Sequence, residues 1–381
     1  MYQLTRYLYE LSEVKGNLIL SLLNKDNNEA LFWAFEYYYS GYPCETANFI
    51  IQIYYDFYYV LNPTFEKYMF IQLKKVALEN EYEELALFIK LIIDNLIFRP
   101  YTLDVFMLRN MGLQFEVDFD EIEDVNREII SLLMDQDNYS YMSTLLMQSD
   151  KYTDVKELEK LHSEVIDTMG SYIKINKNVK MKETNGLLEK CYEDDFVLKR
   201  TILLAKIINY YSIKENKKMH RSVYIENDIE KQMEELNKYK TKYPTSLKED
   251  AKYASNNNDF IGIFQLERFK EENKDYKEKY LGNWEYYAYD APYWMNLFAL
   301  YEAYKDETQK KVIFEDDEEE DEFYEEINYF PDESSKEIQN KSIGKIEKVC
   351  NLNGFYSKYG DKNVIKLEEE EIADIDLIIV Y

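Results

Sequence analysis

Histidine and cysteine are scarce in this 381-residue chain. The two histidines, His162 and His220, belong neither to an HExxH motif nor to a Cys/His cluster with zinc-ligand spacing. The three cysteines, Cys44, Cys191 and Cys350, lie far apart and show no CxxC pair or disulfide-like spacing. The sequence therefore argues against histidine-based metal chemistry, and its cysteines indicate reduced thiols in a reducing compartment.

Glycine and proline are also rare. The ten glycines form neither a GxxxxGK[ST] nor a GxGxxG motif, so the backbone loops that hold phosphates in P-loop and Rossmann proteins are not expected. No GxSxG nucleophile motif is present either. With only six prolines and long apolar stretches, the composition favours helices over a turn-rich β fold. We expect a protein that is not an enzyme and holds no cofactor or metal.

Positive charge is in deficit, because the net charge is −28. A field of this sign repels nucleic acid and anionic membranes and favours partners with a basic surface. No uninterrupted apolar run reaches the ~20 residues that span a bilayer, and the N-terminal residues lack the apolar core of a secretory signal. We therefore expect a soluble cytoplasmic protein that does not bind membranes.

Residues 1–148 have the pattern of consecutive helices. Apolar residues recur every three or four positions from Leu4 to Leu22, which is the period of one helix face. Pro43, Pro63 and Pro100 mark boundaries between the apolar segments that follow. These segments recur about every 20 residues without a repeated consensus. The chain is predicted to be mainly α, either helical-repeat-like (HEAT or α-solenoid type) or an irregular helical bundle.

Composition divides the chain into four regions. A helical domain is predicted for 1–213, followed by a polar linker with one surface helix at 214–257. An aromatic-rich module covers 258–311, and an extended acidic C-terminal region covers 312–381. The C-terminal sequence DLIIVY is interpreted either as a short β-strand or as an exposed segment that binds a partner.

Residues 283–298, NWEYYAYDAPYWMNLF, are here called the aromatic segment and hold two of the three tryptophans. The segment is either a core plug that packs the C-terminal module onto the helical domain or a platform that docks a protein. Stacking on nucleic-acid bases is disfavoured, because few cations flank the segment and an acidic block follows it. The candidate docking residues are Trp284, Tyr286, Tyr287, Tyr289, Pro292, Tyr293 and Trp294.

A block of eight consecutive carboxylates follows the aromatic segment. Such blocks repel themselves, so we expect it to stay extended as a screen or as a contact for a basic partner. A shorter acidic run, DFDEIED at 118–124, lacks the glycine and distal glutamate of a calcium loop and predicts no metal site. The residues of the eight-carboxylate block are Glu315, Asp316, Asp317, Glu318, Glu319, Glu320, Asp321 and Glu322.

Three stretches carry a resemblance to known proteins: EALFWAFEYYYSGY, NWEYYAYDAPYW and EEDEFYEEINYFPDE. In these stretches, and in its lysine-, asparagine- and tyrosine-rich composition, the chain resembles uncharacterised proteins of giant, mimivirus-like DNA viruses. The resemblance implies a virus-encoded protein in the infected cytoplasm, in the viral factory or in the virion. It implies no catalytic residues.

These observations predict a non-enzymatic adaptor or scaffold of a viral macromolecular assembly that binds a protein with a basic surface. One alternative is a helical-repeat scaffold of translation or transcription machinery that contacts RNA through two cationic segments. Another is an enzyme whose acidic side chains converge in a cleft. The candidate RNA-contacting residues are Lys174, Lys177, Lys180, Lys217, Lys218 and Arg221.

Overall fold

Helices form most of the secondary structure, as the apolar periodicity predicts. The computed structural model describes residues 3–79, 82–135, 138–173, 196–214, 223–224, 228–240, 253–254, 258–266, 276–328, 330, 333–344, 346, 350–375 and 378–379. Within these ranges, strand pairing is limited to one two-stranded hairpin and two isolated bridges. The prediction of a mainly α fold is confirmed.

Nine helices follow one another with short connections in the N-terminal half. They are α1 (Leu11–Leu23), α2 (Asn27–Tyr39), α3 (Pro43–Ile53), α4 (Phe65–Glu79), α5 (Tyr82–Leu96), α6 (Asp104–Gln114), α7 (Val125–Asp135), α8 (Tyr139–Gln148) and α9 (Val155–Ile173). Asp26 caps α2, because its carboxylate accepts a hydrogen bond from the Glu29 N–H. Pro43 begins α3, at a position where a helix does not need the missing N–H. Local sequence signals thus set these boundaries.

After α3 the chain continues as a π-helical turn at Tyr54–Tyr58 and a 3-10 turn at Tyr59–Leu61. In the π-helical turn, the Asp56 carboxylate accepts two hydrogen bonds of 2.9 Å from the Arg109 guanidinium on α6. Both side chains are buried. A π-helical turn interrupts the regular backbone ladder and often marks a constrained position. Here it contains one half of a buried ion pair.

Helix α10 (Phe196–Lys214) lies inside this group of helices. All of its residues from Leu198 to Ser212 are buried. It packs against the turns at 54–61 and against α6, α8 and α9. The Asn209 side chain donates a 2.6 Å hydrogen bond to the Val60 carbonyl, across 149 residues of sequence. Repeats in a solenoid contact only their neighbours, so these contacts favour an irregular bundle over a repeat array.

Shorter elements form the C-terminal half. They are α11 (Ile229–Asn237), α12 (Tyr276–Gly282), α13 (Trp284–Ala288), α14 (Pro292–Leu300), β1 (Tyr304–Asp306), β2 (Lys311–Ile313), α15 (Asp317–Ile327), α16 (Lys336–Ile343), α17 (Leu352–Tyr359) and α18 (Glu369–Ala373). Strands β1 and β2 pair antiparallel, with Tyr304 opposite Ile313. Helix α11 lies in the linker that was expected to hold a surface helix. The division into four domains stays a prediction.

The described part of the acidic C-terminal region packs on the N-terminal helices. Asp104, at the start of α6, accepts hydrogen bonds of 2.9 and 3.0 Å from the N–H groups of Val364 and Ile365. The Tyr359 hydroxyl donates a 2.7 Å hydrogen bond to Asn24, after α1. The expectation of an extended region is therefore wrong for these residues. Apolar residues placed among the acidic ones reach the common core and hold the region against it.

One residue of the C-terminal sequence DLIIVY forms a strand-like pairing. Ile378 is fully buried and forms a parallel bridge with Phe264. The Gln265 N–H donates a 2.8 Å hydrogen bond to the Ile378 carbonyl. At this position the strand interpretation is supported over the exposed segment. Among the described helices, none has the length and apolar character needed to cross a membrane.

Candidate functional site

The aromatic segment folds into α13 and α14. Trp294 and Phe298 are one turn apart on α14, so they lie on the same face, and both are buried. The ring of Trp284, on α13, meets that of Trp294 at a centroid distance of 4.8 Å and an angle of 64°. Such inclined ring pairs stabilise a contact beyond the area they bury. This aromatic cluster holds the two short helices together.

Backbone and indole hydrogen bonds attach the aromatic segment to the N-terminal residues. Nε1 of Trp294 donates to the Thr5 carbonyl at 3.1 Å, so the indole N–H is satisfied inside the protein. The Tyr293 N–H donates to the Ser40 carbonyl, which follows α2, at 3.1 Å. The segment is therefore attached to residues before α1 and after α2.

Pro292 lies against Gly41. The backbone of Gly41 has φ +99°, a left-handed conformation that favours glycine, and a Cβ there would lie 2.5 Å from the Pro292 Cβ. Glycine thus meets both the conformational and the steric requirement. This close approach seats the start of α14 on the turn between α2 and α3.

Burial decides between plug and platform for the largest side chains. Trp284 is 2 % exposed, Trp294 is 0 % exposed and Tyr287 is 8 % exposed. The docking-platform alternative is wrong for these three side chains, because other parts of the chain cover them. Their positions fit a core plug. The other candidates of the segment are half-buried: Tyr286, Tyr289, Pro292 and Tyr293.

Tyr286 fastens the β-hairpin to the aromatic segment. Its hydroxyl donates to the Glu307 carboxylate at 2.5 Å, and the Lys305 ammonium lies 4.5 Å from its ring centroid. Lys305 also pairs with Asp290 at 2.6 Å. The hydrogen bond to Glu307 is the main cause that raises the pKa of Tyr286 to about 12. Tyr286 therefore has a structural partner and acts as a neutral donor at physiological pH.

The carboxylate block leads into helix α15, here called the acidic helix, which corrects the expectation of an extended block. Asp316 caps the helix, because its carboxylate accepts 3.0 Å hydrogen bonds from the Glu318 and Glu319 N–H groups. Carboxylates in the first turn also interact favourably with the positive end of the helix dipole. Phe323 and Ile327, one turn apart, are buried. The cap, the dipole and these apolar contacts offset the repulsion among the acids.

Ring contacts place the acidic helix beside α14. The rings of Phe323 and Phe298 stack at a centroid distance of 5.0 Å and an angle of 23°. Tyr301, which caps α14, meets Phe323 edge-on at 5.4 Å. The two helices therefore share an aromatic core, and their outer faces are neighbours on the surface.

The outer face of the acidic helix carries uncompensated charge. Seven of the block's eight carboxylate residues are exposed, and Glu319 is half-buried. Within the described chain, none of the eight forms an ion pair with lysine or arginine. A hydrogen bond with Glu302, together with the charge of Glu302, raises the pKa of Glu315. Like charges meet there, so an approaching cation would be attracted.

Helix α14 ends in a Schellman turn that has a glutamate at the usual glycine position. Glu302 has φ 48°, which is left-handed. The Ala303 N–H returns to the Phe298 carbonyl at 3.1 Å, as this motif requires. A left-handed residue with a Cβ costs about 1–2 kcal/mol relative to glycine. The negative charge of Glu302 also acts on the like-charged Glu315. Glu302 is therefore unfavourable both in its backbone conformation and in its charge.

Replacing Glu302 with glycine is expected to raise the free energy of unfolding by about 1 kcal/mol. The variant removes both the left-handed Cβ and the carboxylate contact with Glu315. Urea denaturation at pH 7 measures the change. The Glu302→Gln variant is the control, because it removes only the charge and keeps the backbone strain. A lower free energy for Glu302→Gly than for the unaltered chain would contradict the prediction.

The acidic run at 118–124 lies directly before α7. The run at 118–124 contributes to a surface groove of about 620 Å³ that also contains Arg127. Asp124 accepts a 3.0 Å hydrogen bond from the Asn126 N–H, so it caps α7. In the described ranges, no group of three or more histidine, cysteine or acidic side chains is placed to hold a metal ion. The alternative of an enzyme with a carboxylate site stays a prediction.

The candidate RNA-contacting residues all fall outside the described ranges. The RNA alternative therefore also stays a prediction. These residues are Lys174, Lys177, Lys180, Lys217, Lys218 and Arg221.

His162, on α9, is a core histidine. It is 2 % exposed, and its Nε2 lies 3.2 Å from the Tyr210 hydroxyl on α10. Burial, assisted by the charge of Lys206, lowers the pKa of His162 to about 4. The imidazole is therefore neutral at physiological pH and packs between two helices.

Protonation of His162 is expected to destabilise the fold as the pH falls from about 6.5 to about 4. The unfolded chain binds this proton near pH 6.5, but the folded chain binds it only near pH 4. The unfolded state thus holds more protons in this window, so stability is complete above it and is lost as the pH falls. From pH 7 to pH 4.5, the unaltered chain should lose about 2 kcal/mol more than the His162→Gln variant in urea denaturation. If the unaltered chain and the His162→Gln variant lose the same free energy of unfolding, His162 is not the group that destabilises the fold in acid.

No family model, curated protein or solved structure matches this chain.

Proposed function

We propose that the protein is a non-enzymatic adaptor that binds a protein with a basic surface through its acidic helix. Eight consecutive carboxylates, six of them on one anchored helix and none paired with lysine or arginine within the described residues, are the observation that supports this most directly. Negative potential concentrated in this way attracts a basic partner and steers its approach.

The anchoring of the acidic helix also favours recognition. Phe323 and Ile327 attach its inner face to the core, and Asp316 fixes its first turn. A partner would therefore meet charges that are already ordered. Binding to a preorganised surface avoids much of the entropy cost of ordering a flexible tail. An anchored acidic helix thus binds more selectively than a disordered acidic tail of equal charge.

The resemblance to proteins of giant DNA viruses supports a setting for this adaptor. In that setting it joins a viral macromolecular assembly in the infected cytoplasm, in the viral factory or in the virion. Basic proteins are abundant wherever viral nucleic acid is packaged or expressed, because phosphate charge must be neutralised. The protein would connect such a basic component to its helical bundle.

Neutralising the acidic helix is expected to weaken binding to a basic probe by at least about tenfold and to flatten its salt dependence. The variant combines Asp317→Asn, Glu318→Gln, Asp321→Asn and Glu322→Gln, and it keeps the cap Asp316. The probe is a fluorescent oligolysine peptide, and anisotropy titrations at several salt concentrations give the affinity. Deleting 312–326 is a poorer test, because it also removes β2 and core contacts.

The matched control changes the same number of charges on other exposed helix faces. It combines Glu230→Gln and Glu234→Gln on α11 with Glu369→Gln and Glu370→Gln on α18. If the control weakens oligolysine binding as much as the acidic-helix variant does, only the net charge matters and the proposed site is refuted.

A further inference from the structure

Exposed apolar side chains are concentrated next to the acidic helix. Six large hydrophobic side chains are exposed in the described chain, and three of them lie between residues 295 and 304. Met295 is 45 % exposed, Leu300 is 75 % exposed and Tyr304 is 54 % exposed. Met295 and Leu300 are exposed residues of α14, and Tyr304 begins β1. Clustered exposed apolar residues mark interaction sites more often than single ones do.

These exposed apolar residues lie on elements next to the acidic helix. Glu302 lies between Leu300 and Tyr304 in sequence, and both Glu302 and Glu315 are exposed. Beneath the surface, Phe298 and Phe323 stack and fix α14 beside the acidic helix. The outer surface therefore has an apolar half and a negatively charged half.

We propose that this combined surface, here called the mixed surface, docks an amphipathic basic segment of the partner protein. Leu300 and Tyr304 contact the apolar side of that segment, and Glu302 and Glu315 pair with its lysine or arginine side chains. An amphipathic helix that lays its apolar face on such a surface buries hydrophobic anchors while its charges reach the rim. The inference rests on the proposed function and adds the apolar half and the form of the partner segment.

The negative charge of the chain favours an amphipathic basic segment over other partners of the mixed surface. A net charge of −28 opposes a second copy of the chain, an anionic membrane surface and nucleic acid. A purely apolar partner would leave the exposed charges of Glu302 and Glu315 without counter-charges. A segment that is both basic and apolar complements both halves of the mixed surface.

The test uses a labelled peptide of about 14 residues, or four helical turns, with leucine and lysine at helical spacing. Its affinity for the full chain is measured by fluorescence anisotropy. The variant Leu300→Ser with Tyr304→Ser is expected to bind at least about tenfold more weakly. The control variant Ile71→Ser with Phe98→Ser truncates exposed apolar side chains elsewhere and is expected to bind as the unaltered chain does. Urea denaturation verifies that both variants fold.

Charge dependence is tested in the same titration. The variant Glu302→Gln with Glu315→Gln should also weaken binding, and a leucine–glutamate peptide of the same length should not bind. Equal binding of the leucine–glutamate peptide would overturn the inference, because the charged half would then have no role.

The outcomes separate this inference from the proposed function. If Leu300→Ser with Tyr304→Ser changes nothing while neutralising the acidic helix weakens binding, the apolar half is refuted and the acidic adaptor remains. If neither variant weakens binding, both proposals fail. Sedimentation velocity of the chain alone provides one more test, because a dimer that depends on Leu300 would show that a second copy occupies the mixed surface and would overturn the inference.

Discussion

Replacing Arg109 with alanine is expected to lower the free energy of unfolding by about 3–5 kcal/mol. Arg109 donates two 2.9 Å hydrogen bonds to Asp56, and both side chains are almost completely shielded from water. The substitution leaves the Asp56 carboxylate buried without its counter-charge, which is more costly than losing the pair as a whole. Urea denaturation at pH 7 measures the loss.

The double variant Asp56→Leu with Arg109→Met is expected to recover much of that loss. Replacing a buried ion pair with apolar side chains of similar volume is often neutral, because neither charge then has to be desolvated. Arg127→Ala, on the exposed side of α7, serves as the control and should change stability by less than about 0.5 kcal/mol. If Arg109→Ala does not fold, the folding of the double variant still tests the explanation. A double variant that is no more stable than Arg109→Ala would contradict it.

Replacing Trp294 with alanine is expected to lower the free energy of unfolding by about 3–5 kcal/mol. The indole is 0 % exposed, contacts the ring of Trp284 and donates to the Thr5 carbonyl. Its removal leaves a cavity and also leaves that carbonyl without this donor. Met295, the next residue, is 45 % exposed, so Met295→Ala should cost no more than about 0.5 kcal/mol.

Amide hydrogen exchange in the Trp294→Ala variant distinguishes a core plug from a local aromatic cluster, because it shows which backbone hydrogen bonds are weakened. If Trp294 joins the C-terminal module to the bundle, its removal should speed amide hydrogen exchange at Tyr293, whose N–H bonds to the Ser40 carbonyl. Met295→Ala should leave that exchange rate unchanged. Similar small effects of both substitutions on stability and exchange would refute the plug.

The helical bundle was predictable because its signals are local. Apolar residues at three- and four-residue spacing predict α1 to α9. Pro43 begins α3, and Pro63 and Pro100 fall between α-helices, so their missing N–H is tolerated. The position of α10 inside the bundle was not predictable. The spacing of apolar residues indicates that a helix is buried, but it does not indicate which helices pack against it. Contacts such as that of Asn209 with Val60 are set by tertiary packing.

The candidate site was predicted in part. The carboxylate block is indeed at the surface, but its helical form was missed although the signals are in the sequence. Asp316 stands at a cap position, and Phe323 and Ile327 have the spacing of one helical turn. Burial of the tryptophans could not be read from local sequence, because Trp294 bonds to Thr5 across 289 residues. The exposure of Leu300 could not be predicted either, because its neighbours Phe298 and Ala299 on α14 are also apolar and the sequence does not show which of the three face solvent.

The hydrogen bond between Thr5 and Trp294 also has a consequence for synthesis of the chain. Thr5 leaves the ribosome 289 residues before its indole partner does. At translation rates of about 5–20 residues per second, this delay lasts about 15–60 s. During that time the side of the nascent bundle that later receives the aromatic segment stays open to other hydrophobic surfaces. We therefore expect chaperones to bind the emerging N-terminal helices until α14 has been made.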